Sequence, residues 1–122
     1  MATPTAQTPF AVDPVQLPLV GGGATTLYTV PADTHSVLGY ILVVNDNTTA
    51  VKVTLYYAPN GGAAGDDNII CKAFSIPGDG VGVNILEAMK LKDFHMETGG
   101  TIRGFADVAD QTTVHIGGWE YS

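Results

Sequence analysis

The chain has 122 residues, with five Lys and Arg against twelve Asp and Glu and a formal net charge of −7. Its 12.7 kDa is the length of one domain able to bury a core unaided, and 45% hydrophobic residues exclude disorder of the whole chain. Lys52, Lys72, Lys90, Lys92 and Arg103 are too few and too scattered for the basic footprint that nucleic acid or an anionic membrane surface requires.

The first twenty or so residues differ from the rest. Pro4, Pro9, Pro14 and Pro18 recur at short intervals and no charge precedes Asp13. Proline at that spacing forbids a helix and favours extended backbone. Phe10, Val12, Val15, Leu17 and Leu19 are nevertheless more apolar than a solvated linker. Residues 1–23 are therefore expected to form an extended arm lying on its own domain or on a neighbouring subunit, with those five side chains as its contacts. Gly21-Gly22-Gly23 would be a flexible joint before a domain spanning 24–122.

From Thr25 onward the hydrophobic period is two. TTLYTV (25–30) reads as a short strand closed by Pro31. SVLGYILVVN (36–45) is apolar on both faces, which suits a central strand, and AVKVTLYYA (50–58) sets Val51, Val53, Leu55 and Tyr57 opposite Lys52, Thr54 and Tyr56. The turn formers Asn45-Asp46-Asn47-Thr48 between them predict a hairpin. A glycine-rich acidic loop follows at 59–67, then strands at 68–76 and 81–86, with Val81, Val83 and Ile85 inward. Residues 87–96, EAMKLKDFHM, fit either a single helical turn or an extended strand. Strands at 101–107 and 112–121 complete the chain, the last carrying Trp119 and Tyr121 on one face, with core closure as the expected use of that face. The tally of about seven or eight strands predicts an all-β fold, a single antiparallel sandwich.

Chemistry-bearing motifs are sparse. His35, His95 and His115 sit in no metal-ligand spacing, and Cys71 stands alone in an apolar strand. Asp66-Asp67-Asn68 and the pair Asp107 and Asp110 offer oxygen ligands without a calcium-loop pattern. The glycines at 21–23 precede a strand rather than a helix, so they make no phosphate cradle. No serine lies in a nucleophile elbow. The sequence predicts no enzyme, no cofactor and no metal. The start lacks the cationic and apolar regions of a signal peptide, and no apolar run approaches the roughly 20 residues of a membrane span, so the chain is expected to be made in a cytosol and left unprocessed. Tyr40, Tyr56, Tyr57 and Trp119 are the aromatics expected at a subunit interface.

The succession VPADTHSVLGYILVVND, TTAVKVTLYY and KLKDFHMETGGTIRGFADVADQTTVHIGGWEY resembles small virion structural proteins of tailed bacteriophages. The resemblance spans about residues 25–121 and rests on a Gly-Gly turn, a strand beginning Thr-Ile-Arg and a last strand ending Gly-Gly-x-Glu. It implies a jelly-roll-like sandwich, often a homotrimer, that decorates the outer capsid surface by binding the major capsid protein. The arm would then act as a clamp, and the acidic loops at 59–67 and 77–80 would face solvent. A tail or fibre module stacking host carbohydrate on Trp119, Tyr56 and Tyr57 is the alternative expectation. The resemblance carries over no catalytic or ligand-binding residue.

Overall fold

A computed structural model describes residues 7–19, 25–60, 68–91 and 93–121. In chain order their elements are β1 (Gln7–Ala11), β2 (Val15–Gln16), β3 (Thr25–Thr29), β4 (His35–Asn45), β5 (Val51–Ala58), β6 (Ile69–Ile76) and β7 (Val81–Asn84), then α1 (Ile85–Ala88), β8 (Phe94–Met96), β9 (Thr101–Ala106) and β10 (Thr112–Tyr121).

The strands build two antiparallel sheets. In sheet A, β10 and β4 are central; β1 and β2 both pair with the free side of β10, while β7 and β8 both pair with the free side of β4. Sheet B runs β3-β9-β5-β6. With β1 and β2 taken as one interrupted strand and β7 and β8 as another, there are eight. First then pairs with last, second with seventh, third with sixth and fourth with fifth. This is the jelly-roll arrangement of two interlocked Greek keys.

The inner faces follow from alternation along each strand. Leu38, Ile41 and Val43 of β4 meet Val51, Val53 and Leu55 of β5 in one core with Ile102, Val114 and Ile116, all at most 2% exposed. Two polar devices tie the sheets. Asn45 is fully buried, and its side-chain amide donates to Thr49 O at 3.0 Å and Ile76 O at 2.9 Å. At the other end of β4, Tyr28 from sheet B reaches Ser36 and Glu120 of sheet A.

The structure decides three sequence expectations. The 36–45 and 50–58 strands are not a hairpin: β4 pairs with β10, β7 and β8, whereas β5 pairs with β6 and β9. Both sides of β4 are occupied, so residues 46–50 cross from one sheet to the other, held by Asn45.

Over residues 7–19 the proline-rich segment lies on its own domain, the first of its two expected placements, and is part of the sandwich there. Gln7–Ala11 pair with Tyr121–Gly117, Val15 pairs with Val114, and Leu17 is fully buried. The chain then crosses an open end of the sandwich, with Leu17 N–H donating to Thr112 O at 3.0 Å and Ala106 N–H donating to Pro18 O at 2.8 Å. The boundary expected at 23/24 falls among residues 20–24, which lie outside the described residues, as do residues 1–6 and the acidic loop over 61–67. The fold, however, begins by Gln7.

The stretch 87–96 uses both of its readings in turn. Asn84 caps α1 by accepting from Leu86 N at 3.2 Å. Lys90 takes a left-handed φ of 58°, and Leu91 N–H returns to Leu86 O at 2.7 Å, so the helix stops after one turn in a Schellman closure. Phe94–Met96 is then the short strand β8. Ile85, expected on a strand, is instead buried from α1, and Val81 at the start of β7 is 43% exposed.

Candidate functional site

The register of sheet A fixes which side chains leave its outer face. From β4 these are His35, Val37, Tyr40, Leu42 and Val44, and from β10 Thr113, His115, Gly117, Trp119 and Tyr121. The edge strands add Gln7, Pro9 and Ala11 from β1, Gln16 from β2, Gly82 and Asn84 from β7, and His95 from β8. No Asp, Glu, Lys or Arg stands at any of these positions. All three histidines of the chain do.

The bareness of this face has a local cause. Asp33, Asp79, Asp93 and Asp110 all take positive φ values in turns, a backbone that aspartate tolerates better than most residues. Asp13, Asp46, Glu97 and Asp107 also lie between strands, and Glu87 lies in α1. Among the described residues Glu120 is the acidic group within a strand, and its side chain turns inward to Tyr28. Among the described residues, Glu120 apart, negative charge thus lies in the turns and in α1 and leaves the outer face of sheet A bare.

A bulge shapes the face. Gly117 lies opposite Tyr40 and Gly118 opposite Leu38, so β4 carries one extra residue, Gly39, between them. Tyr40 folds over Gly117, where a Cβ would collide with its ring atoms. A Cβ on Gly118 would strike the backbone at Val37 O and come within 2.8 Å of Gly39 N. The paired glycines let the tyrosine lie along the sheet instead of standing off it. Tyr40 is 37% and Trp119 43% exposed, and a shallow depression of about 340 Å³ opens between His35, Val37, His95 and Tyr121.

Sheet B differs. Its outer face carries Lys52, Thr54, Tyr56, Arg103 and Phe105, and Lys72 is exposed on the neighbouring β6. Tyr56 packs against Phe105 with ring centroids 6.1 Å apart, and Arg103 Nε donates to Thr101 Oγ1 at 3.0 Å.

The expected contact residues separate accordingly. Phe10 stacks on Tyr28 at 4.8 Å, Val12 and Val15 pack against the core, and Leu17 is inside it; Leu19 alone of these five is largely exposed, at 48%. Tyr40 and Trp119 share the outer face of sheet A. Tyr56 lies on the opposite side of the molecule. Tyr57 faces inward at the sandwich edge, edge-on to Phe94 at 5.5 Å, and its hydroxyl accepts from Glu97 N at 3.2 Å. Trp119 and Tyr121 do share a face, but it is the outer one rather than the core-closing one expected. Sequence reading missed Val37, Leu42, Val44 and the three histidines as members of the same surface. Alternation along 36–45 is their signal, once the partner strand and its bulge are known.

The buried polar groups are structural. Ser36 is fully buried, and its Oγ is 2.5 Å from the Tyr28 hydroxyl, which donates to Glu120 Oε2 at 2.6 Å. Burial, with the Glu120 carboxylate next in effect, pushes the Tyr28 phenol well above its ordinary value, so it is held protonated and supplies no phenolate. Burial likewise pushes the Cys71 thiol up to about 11, an inert state. A cleft of about 380 Å³ beside Tyr57, Ile70, Leu91 and Phe94 is almost wholly apolar. Among the described residues no group of three His, Cys, Asp or Glu side chains could hold a metal ion, and no helix is long and apolar enough to cross a membrane. Asp66 and Asp67 lie outside the described residues.

Compared with known proteins, the chain matches no family model and no curated sequence.

Proposed function

We propose that the chain is a non-enzymatic virion structural protein of a tailed bacteriophage, a capsid decoration protein that binds the major capsid protein on the outer shell surface and works as a homotrimer. The observation that carries this reading is the outer face of sheet A. A broad surface free of Asp, Glu, Lys and Arg, with Tyr40, Trp119, Leu42 and Val44 exposed or half-exposed on it, has the chemistry of an interface core. The jelly-roll topology and the resemblance across residues 25–121 support the same reading. A protein acting through many weak copies on a symmetric lattice needs a rigid body with docking faces rather than a reacting group.

The clamp is reassigned. Phe10, Val12, Val15 and Leu17 serve the chain's own sandwich, so of the five expected contacts only Leu19 is left exposed for the shell.

The test is the copy number of the chain in purified particles of the parent phage, by quantitative mass spectrometry against the major capsid protein. A number comparable to the capsid protein supports decoration. A handful of copies moves the chain to a tail or vertex, and absence from the particle overturns the virion reading altogether. Carbohydrate recognition gains no geometric support, because Trp119, Tyr56 and Tyr57 point in three different directions.

A further inference from the structure

We infer that the outer face of sheet A is where copies of this chain meet one another. The inference deepens the homotrimer part of the preceding proposal by naming the surface, but it stands whether or not the assembly sits on a capsid.

Charge points to the occupant. Each copy carries a formal −7, so two copies repel wherever their acidic turns approach. The outer face of sheet A is a broad surface with no acidic side chain, so copies can bring this face together about a two-fold or three-fold axis without a like-charge contact. A foreign partner with a charged surface would be recognised by complementary charges, and this face offers none. Self-contact is the pairing for which the absence of Asp, Glu, Lys and Arg on both sides is already guaranteed.

Size agrees. β4 and β10 are 11 and 10 residues long, which sets a face about 33 Å long, and four strand positions across make it about 19 Å wide. That is roughly 600 Å² before side-chain relief, close to the ~800 Å² per partner of a standard stable interface. Large apolar groups sit near its middle as well as its margin: exposed Tyr40 over the bulge, half-buried Leu42 and Val44 beyond it, and exposed Trp119 toward the β1 edge. Aromatic side chains ringed by polar groups (Gln7, Gln16, Asn84, Thr113 and the histidines) are the composition expected of a patch that is buried in the assembly.

The experiment is sedimentation velocity and native mass spectrometry on the full chain over a dilution series, at low and at high salt. The expected result is a defined oligomer of two or three chains that tightens as salt rises, because salt screens the repulsion between acidic copies while leaving an apolar contact intact. Leu42→Glu places a charge in the middle of the face and should raise the dissociation constant at least roughly a hundredfold. Trp119→Lys, at a position already exposed and so harmless to folding, should weaken association in the same direction. Thr26→Glu on the outer face of sheet B should leave it unchanged. Folding of each variant is checked by its urea midpoint. A chain that stays monomeric at all concentrations overturns the inference, as does an oligomer untouched by both face variants. An oligomer that behaves as expected but does not coat particles leaves the inference standing and sinks the decoration reading alone.

Discussion

The Tyr28 hydroxyl lies 2.6 Å from Glu120 Oε2, joining β3 of one sheet to the last strand of the other across the edge of the core. Ser36 completes the contact from β4, and Phe10 stacks on the same phenol ring from β1. Strands β1, β4 and β10 therefore converge on one side chain of β3. Tyr28→Phe should lower unfolding free energy by about 1–3 kcal/mol, since it strands a buried serine and a partly buried carboxylate. Glu120→Gln keeps an acceptor oxygen and should cost less. Urea midpoints of the two variants, compared with the parent, check the order.

Stability should decline in alkali. Folding raises the pKa of Tyr28 and of Cys71 above their unfolded values, so both groups are held protonated in the native state. Their contribution is complete below pH 9, where the unfolded chain is protonated too. As pH rises from 9 toward 11, the unfolded thiol loses its proton before the folded one, and the unfolded phenol follows from about pH 10. Stability should fall by about 1 kcal/mol per pH unit for each group in its window. Denaturation profiles between pH 8 and about 11 read the slope, and Cys71→Ala should flatten its first part.

Leu17 and Leu19 are two residues apart and should respond oppositely to truncation. Leu17 is fully buried and Leu19 is 48% exposed. Leu17→Ala should cost about 2–5 kcal/mol, whereas Leu19→Ala should stay within about 0.5 kcal/mol. Deleting residues 1–19 should unfold the domain rather than release a tether, which circular dichroism of the truncated chain would show at once.

The paired glycines also make a contrast. At Gly118 an added methyl meets backbone, which cannot move, so Gly118→Ala should disrupt the β4–β10 register and destabilise by several kcal/mol, on the scale of overpacking or worse. At Gly117 it meets the Tyr40 side chain, which can swing away. Gly117→Ala should therefore fold with a smaller loss, below about 2 kcal/mol, and leave Tyr40 more solvent-exposed. Thermal melts and tyrosine fluorescence separate the two outcomes.

Much of the fold is written in alternation. The 36–45, 50–58 and 112–121 segments are strands within a residue of their expected limits, because β-branched side chains at period two satisfy one buried face whatever the topology. Pairing is not local in that way. Asn45-Asp46-Asn47-Thr48 suits a hairpin or a sheet-to-sheet crossing equally, and only the occupancy of both sides of β4 decides between them. The prolines misled for a related reason. Pro9 removes a ladder donor, yet β1 lies at a sheet edge, where a strand can spare one. The candidate face was half legible: Trp119 and Tyr121 visibly share a side, but nothing in the spacing says whether that side is covered by the chain's own core. Its lack of charge emerges only when the aspartates are placed in left-handed turns.

Pairing first strand with last has a consequence for how the chain folds. β10 lies between β1 and β4, and β9 lies between β3 and β5, so neither sheet can be assembled from the first two-thirds of the chain alone. During synthesis β4 must wait, its apolar side chains uncovered and the hydrogen-bonding groups of one long edge unpaired, until Thr112–Tyr121 emerges to fill the gap. Closure then joins residues from opposite ends of the chain, a slow step by the usual dependence of rate on contact distance. Emergence of the C-terminal strand sets the moment of folding, and the interval before it is when neighbouring nascent chains are most exposed to pairing with one another.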